Sequence, residues 1–451
     1  MTGTNPLQNK KQRPVRQLMD GSLFSFMDIL QRYIDQQNDN HSKFPERSAR
    51  RSSIFVVIPC YNEPDILTTL NSLADCFPPK AEVTVLIVIN SAEGAPKEAI
   101  EQNILTSDYI AEWQLQHQEL FFDVQRILAP ALPQKWAGVG WARKIGMDEA
   151  VKQIVKNGLP DGIIISFDAD STVLPNYLQT IESAFKDNPT CNFFTIRFEH
   201  PFANKELSAS FREGIIRYEL HMRYYRNAMQ WSGYPHAIHT VGSSFALKAS
   251  AYAKQGGMNR RKAGEDFYFL HKLVLLGDYG NINSTTVFPA ARQSDRVPFG
   301  TGAAMKKWME GSSELNFTYS FEAFKNLKPL FSNTSQFWQM EPSEIENSLK
   351  NLHLSLQTFL INSQTIGKLI ELRKNCSNVK IFEKRVFHLL DAFWILKYLN
   401  FAHETSYSRG DLQTEATILL QHIGIQAGCN SSLENLLDIF RDLDTRVENC
   451  S

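Results

Sequence analysis

Residues Ile54–Pro64 read IFVVIPCYNEP. The first six are apolar without a break. A strand with one face in water alternates apolar and polar residues, whereas an unbroken run suits a strand covered on both faces. Pro64 and Asp65 then open a helix that keeps Ile66, Leu70, Leu73 and Ala74 on one side. The same grammar recurs downstream. VTVLIVI (Val83–Ile89) is a second buried strand. Met147, Ala150, Val151, Ile154 and Val155 form a helical stripe, and Gly158 ends it. GIIISF (Gly162–Phe167), FFTIRF (Phe193–Phe198) and VGSSFAL (Val241–Leu247) are further strands. Strands alternating with helices predict an α/β fold: a Rossmann-like, mostly parallel sheet with helices on both faces.

The flanks differ. In residues 1–52, Leu23, Phe26, Met27, Leu30, Tyr33 and Ile34 recur at a spacing that predicts one short amphipathic helix, followed by a polar linker over 36–52. That helix packs on the main domain or lies on a membrane face. Beyond residue 310 the strand signal fades. Ser343 and Glu346 read as a capping box after Pro342, and Phe382, Val386, Leu389, Leu390 and Phe393 recur at helical spacing. The expected units are an N-terminal extension (1–52), a main α/β domain (53–310) and a helical C-terminal domain (311–451).

The 451 residues carry a net charge of −1, which argues against nucleic acid as the main partner. No apolar run approaches the ~18 residues of a membrane span, and no secretory signal is evident. The six cysteines are scattered and form no C-x-x-C pair, so reduced thiols in a cytoplasm are expected.

In an open α/β sheet, ligands bind beyond the carboxyl ends of the strands. The tips there are PCYNEP, NSAEGAP and DADSTVLP. In the last, Asp168 and Asp170 stand two apart, and residues i and i+2 of an extended segment face one side. Such a pair suits a hard divalent cation, which takes one or two carboxylates and completes its shell with water and phosphate. It also suits a solvated loop in which Asp170 or Ser171 caps the next helix. AGEDFYFLHKL (Ala263–Leu273) sets Glu265 and Asp266 before a helix, where acids serve the macrodipole or one acts as a general base. In ARQSDRVPFGTG (Ala291–Gly302), Arg292 and Arg296 either hold a phosphate-rich leaving group or make ordinary surface ion pairs. GVGWAR (Gly138–Arg143) begins like a dinucleotide fingerprint but ends in Arg143, and no strand leads into it.

Taken in order, VVIPCYNEP, GVGWARKIGMDEAV, ISFDADSTVLPNYL and VGSSFALKASAYAKQGGMNRRKAGEDFYF resemble the family 2 glycosyltransferases of the GT-A fold, over about residues 53–300. The resemblance implies a nucleotide-diphosphate sugar donor and a divalent metal, manganese or magnesium. It implies that Pro59, Tyr61 and Glu63 border the nucleotide, and that Asn90 stands where the family often has an aspartate. Arg143 falls on the arginine of its Ala-Arg segment. Asp168 would touch ribose or metal, and Asp170 the metal. Asp266 would deprotonate the acceptor hydroxyl with Glu265 beside it, and one displacement would invert the anomeric carbon. Gln293–Val297 is similar to the Q-x-x-R-W motif of processive members, with Val297 in place of tryptophan. Arg296 there would grip the diphosphate. With no membrane span, a non-processive enzyme of polysaccharide or glycoconjugate synthesis is implied, cytoplasmic or peripheral at the inner membrane face. The acceptor is left open among glycan, lipid-linked and small molecules. The rivals are an inactive nucleotide-sugar-binding or scaffold protein and a nucleotidyltransferase. The latter usually carries a Gly-rich loop after the first strand, which PCYNEP lacks.

Overall fold

The computed structural model describes residues 16–37, 50–203, 207–262, 264–294, 296, 300–312, 314–426, 428 and 431–446, with backbone only for 16–25. Its centre is an eight-stranded sheet of β1 (Ile54–Cys60), β2 (Val83–Ala92), β3 (Phe122–Leu132), β4 (Ile163–Ser166), β5 (Thr172–Val173), β6 (Phe193–Phe198), β7 (Phe245–Lys248) and β8 (Tyr279–Phe288). The strand order is β3-β2-β1-β4-β7-β6-β8-β5. β7 runs antiparallel to β4 and β6, and β5 antiparallel to β8, so six strands share one direction and two oppose it.

Side chains alternate across each strand. Phe55, Val57, Leu86 and Val88 therefore join one core, while Ile54, Val56, Ile58, Val85 and Ile87 join another on the opposite face. The first core is closed by α1 (Arg16–Asp35) and by α4 (Val139–Asn157), which comes after α2 (Ile66–Ala74) and α3 (Lys97–Gln116) in the chain. α2 and α3 cover the second face together with α5 (Tyr177–Asp187). Burying one such Val, Leu, Ile or Phe side chain contributes about 1.5–3 kcal/mol. This two-sided cover explains the unbroken apolar runs.

The apolar side of α1 packs inward. Leu30 and Tyr33 are buried, and the Tyr33 hydroxyl donates to Asp148 Oδ1 at 2.6 Å. The same Asp148 is paired with Lys144 Nζ at 2.5 Å and accepts from the Tyr252 hydroxyl at 2.7 Å. Among the described residues, no helix is long and apolar enough to cross a membrane.

A third core joins α6 (Ala209–Trp231) to the C-terminal helices. Between them the chain forms α7 (Ala249–Lys254), α8 (Glu265–Leu273) and α9 (Thr301–Met309). Eight further helices are described, from α10 (Phe321–Ser332) to α17 (Leu433–Thr445). Two local expectations are corrected. The capping box belongs to Glu341 and Glu344 rather than Ser343 and Glu346, because Pro342, lacking an N–H, takes the first helical position and places the cap at the residue before it. Cys60, Cys76 and Cys376 are free, but the buried Cys191 is disulfide-bonded, so not every thiol is reduced.

Candidate active site

Strands β1, β2 and β4 end at one edge, and the residues just past their ends build a cleft of about 620 Å3. The β1 tip turns at Asn62, whose φ of 49° is a left-handed conformation that asparagine tolerates. α3 ties the tips together. Asn103 Oδ1 accepts from the Asn62 N–H at 2.9 Å, Asn103 Nδ2 donates to the Asn90 carbonyl at 2.9 Å, and Thr106 Oγ1 donates to the Glu63 carbonyl at 2.7 Å. After β4 the chain turns at once, with the Ser171 N–H donating to the Asp168 carbonyl at 3.2 Å. Asp168 and Asp170 thus reach the cleft through a turn, and not through the pleat of an extended segment. Neither Asp170 nor Ser171 caps α5, whose N-cap is Asn176.

The glycines of GVGWAR prove to be packing residues. A Cβ at Gly140 would stand 2.4 Å from the Arg261 carbonyl oxygen and 2.9 Å from Glu265 Cβ. The start of α4 is thereby pressed against the segment that carries Glu265 and Asp266, which brings Arg143 inside. Arg143 is buried and pairs with both Asp168 and Glu265. Burial alone would weaken its proton affinity, but Asp168, Glu265 and Asp266 outweigh that and hold it charged. Across the cleft, Arg292 pairs with Glu63 and, at 2.7 Å, with Asp170. Arg296 pairs with Glu63 and, at 3.1 Å, with Asp170.

Five carboxylates (Glu63, Asp168, Asp170, Glu265, Asp266) and three guanidinium groups (Arg143, Arg292, Arg296) line the described cleft, a surplus of two negative charges when all are ionised. The titration behaviour reflects burial and this surplus. Burial pushes Glu265 up to about 7, with Arg143 pulling down and Asp266 pushing further up. Burial also raises Asp266, whose carboxylate accepts from the Phe267 N–H at 2.7 Å. Asp170 is raised by burial and by the charge of Asp168. Glu63 is the exception: burial would raise it, but Arg292 and Arg296 hold it below the usual carboxylate range.

The donor set fits a divalent cation bound with its substrate. Among the described residues no three Asp, Glu, His or Cys side chains converge as a complete cage. Two neighbouring aspartates with surplus negative charge match an ion that draws its remaining ligands from phosphate and water.

The candidate residues named from the sequence (Pro59, Tyr61, Glu63, Asn90, Arg143, Asp168, Asp170, Glu265, Asp266, Arg292 and Arg296) all line this one cleft. His200, Tyr218 and Thr301 line it too and were missed. His200 Nδ1 lies 3.0 Å from the buried Glu219, and its Nε2 lies 3.0 Å from Thr301 Oγ1 at the start of α9. A signal existed for His200, because it stands just past β6, a strand that runs with β4 and ends at the same edge. Nothing local marks Glu219, which lies in mid-helix. His236 and His239 lie elsewhere, on Tyr279 and Asp444 respectively.

No curated protein matches the chain. Residues 1–349 of S. aureus TarS in complex with UDP-GlcNAc are similar at 14% identity, over 75% of this chain and 92% of that one, with a TM-score of 0.39. Mannosyltransferase PcManGT from Pyrobaculum calidifontis, in complex with GDP-Man and Mn2+, is similar at 14% identity over 96% of each chain, with a TM-score of 0.31. Residues 55–254 match the family described as glycosyl transferase family 2.

Proposed function

We propose that the protein is a metal-dependent glycosyltransferase that moves one sugar from a nucleoside diphosphate donor to an acceptor hydroxyl, with inversion and without processivity. The observation that carries this reading is the single cleft at the carboxyl edge, where segments far apart in the chain bring five carboxylates against three arginines. Pro59, Tyr61, Glu63 and Asn90 border the nucleoside. Asp170, with Asp168 beside it, would hold the divalent ion, manganese or magnesium. When bound, that ion would offset charge building on the departing diphosphate. Arg292 and Arg296 supply planar donor forks to the same diphosphate oxygens, exchanging Glu63 and Asp170 for phosphate. Arg143 fixes Asp168 and Glu265 in place.

Asp266 takes the acceptor proton. The hydroxyl oxygen then forms a bond to the anomeric carbon as the bond from that carbon to the phosphate oxygen breaks, and the electron pair leaves with the nucleoside diphosphate. A base must be deprotonated at working pH yet avid enough to take a proton. The raised proton affinity of the Glu265 and Asp266 pair suits that task.

Thermal unfolding with UDP- and GDP-sugars and manganese tests the reading, because a bound ligand raises apparent stability. A shift with a donor and loss of that shift in Asp170→Ala are expected. No shift with any nucleotide sugar would favour the scaffold alternative. Retention of anomeric configuration in the product, read by NMR, would refute the inverting step.

A further inference from the structure

The interior of the cleft is acidic, but one side of its rim is basic. Arg260, Arg261 and Lys262 stand in succession shortly before Glu265 and Asp266, and all three are exposed. Their backbone lies on the first turn of α4: a Cβ at Gly138 would stand 2.9 Å from Lys262 Cα. Gly138 and Val139 line the cleft, so the basic run borders its mouth close to the candidate base. Aromatic rings gather the cations into two groups. Arg261 lies over the Tyr268 ring at 3.6 Å, and Arg260 over Trp136 at 5.5 Å. Lys135, also exposed, reaches the same Trp136 at 5.3 Å. At the other end Tyr268 meets Phe393 at 5.7 Å, and Lys397 covers Phe393 at 4.4 Å.

Inside the cleft Arg143, Arg292 and Arg296 are all paired with carboxylates. On the rim, among the described residues, Lys135, Arg261 and Lys262 have no carboxylate partner. One exposed cation needs no explanation. Four stacked on aromatic rings in two adjoining groups, with Lys262 beside them, in a chain of net charge −1, are a local departure. The donor diphosphate already has Arg292 and Arg296 across the cleft, so the rim is available to a second anionic group. Arginine and lysine grip phosphate oxygens through charge-assisted hydrogen bonds, and rings beside them hold the guanidinium planes in place.

We propose that this rim binds a phosphate group of the acceptor, so that the acceptor is a phosphorylated polyol, glycan or lipid head group and not a neutral sugar. The inference rests on the reading of Asp266 as the base. The test therefore begins with wild-type protein, manganese and a nucleotide sugar. A thermal shift there upholds the donor site, and its absence removes the function reading itself. Calorimetric titration with glycerol 3-phosphate and with glycerol then addresses the rim. Selective binding of the phosphate is expected, weakened at least tenfold in Arg261→Ala/Lys262→Ala while the donor shift stays, and largely retained in Arg261→Lys. Co-sedimentation with phosphatidylglycerol against phosphatidylcholine vesicles distinguishes a lipid head group from a soluble phosphate. Three results would overturn the proposal: equal binding of glycerol, an unaffected double variant, or a double variant that loses the donor shift instead. The last would assign the rim to the donor.

Discussion

Replacing Glu219 by glutamine tests how the C-terminal region is joined to the catalytic cleft. Glu219 is fully buried in α6 and has six polar contacts. Arg223 Nε donates at 2.9 Å and its Nη2 lies 2.8 Å away as an ion pair, Arg441 donates at 2.8 and 3.0 Å, the His200 backbone at 2.7 Å, and His200 Nδ1 stands at 3.0 Å. Arg441 belongs to α17, so one carboxylate holds the last helix to the residue that reaches Thr301. Glutamine keeps one acceptor oxygen and turns an amide N–H2 toward donors. Breaking one partner of a buried ion cluster costs about 3–5 kcal/mol. The lower end applies, because Arg223 keeps Asp444 and the Phe198 carbonyl. At about 2–4 °C per kcal/mol, a fall of roughly 6–12 °C in Tm is expected. Asp438→Asn, at a side chain 66% exposed and 3.9 Å from the same Arg441, is the control and shifts stability by less than about 0.5 kcal/mol.

The sign of the pH dependence comes from the same contacts. Burial would raise Glu219, but Arg223, His200 and Arg441 hold it well below the usual carboxylate value. Its contribution is therefore fully present above the unfolded value of about 4.3 and is lost as pH falls through the lower folded value. Urea unfolding followed by circular dichroism between neutral pH and pH 3 should show wild type losing this margin toward acid and Glu219→Gln losing less. A variant as stable as wild type at neutral pH would refute the account of α17 as held by this cluster.

Asp266→Asn should retain the donor thermal shift and lower transfer by about 10²–10⁴-fold, the usual worth of a general base; full activity would remove Asp266 from that role. Transfer by wild type should rise with pH as Asp266, raised by burial, and its neighbour Glu265, pushed up to about 7, lose their protons, since only the ionised base accepts a proton, and a flat profile would count against it. Chelation with EDTA should remove the donor shift and the activity, and manganese should restore both. Gly242→Ala places a Cβ 2.5–2.8 Å from the Arg143 guanidinium and should push that group off Asp168 and Glu265. The expected cost is about 1–3 kcal/mol of stability, with weaker donor binding in the same thermal assay.

Five of the eight strands were legible, most plainly IFVVIP and VTVLIVI, whose cover on both faces leaves an unbroken apolar mark in the sequence, whereas β3, β5 and β8 were not. The acidic tips were legible because parallel strands all end at one edge and deliver their C-terminal loops there. Asp168 and Asp170 could therefore be named without coordinates, and Glu265 and Asp266 from their place before a helix. Three things depended on the tertiary structure. Whether Arg292 and Arg296 face solvent or Glu63 and Asp170 is settled by a contact across more than 220 residues, which no local pattern records. The glycines before Arg143 looked like a damaged nucleotide motif until the close approach of Arg261 and Glu265 explained them. The hold of α17 on Glu219 joins positions 222 residues apart. Periodicity and turn chemistry act over a few residues and are written in the chain. The partner of a buried charge is chosen by packing between distant segments, so only the folded molecule decides it.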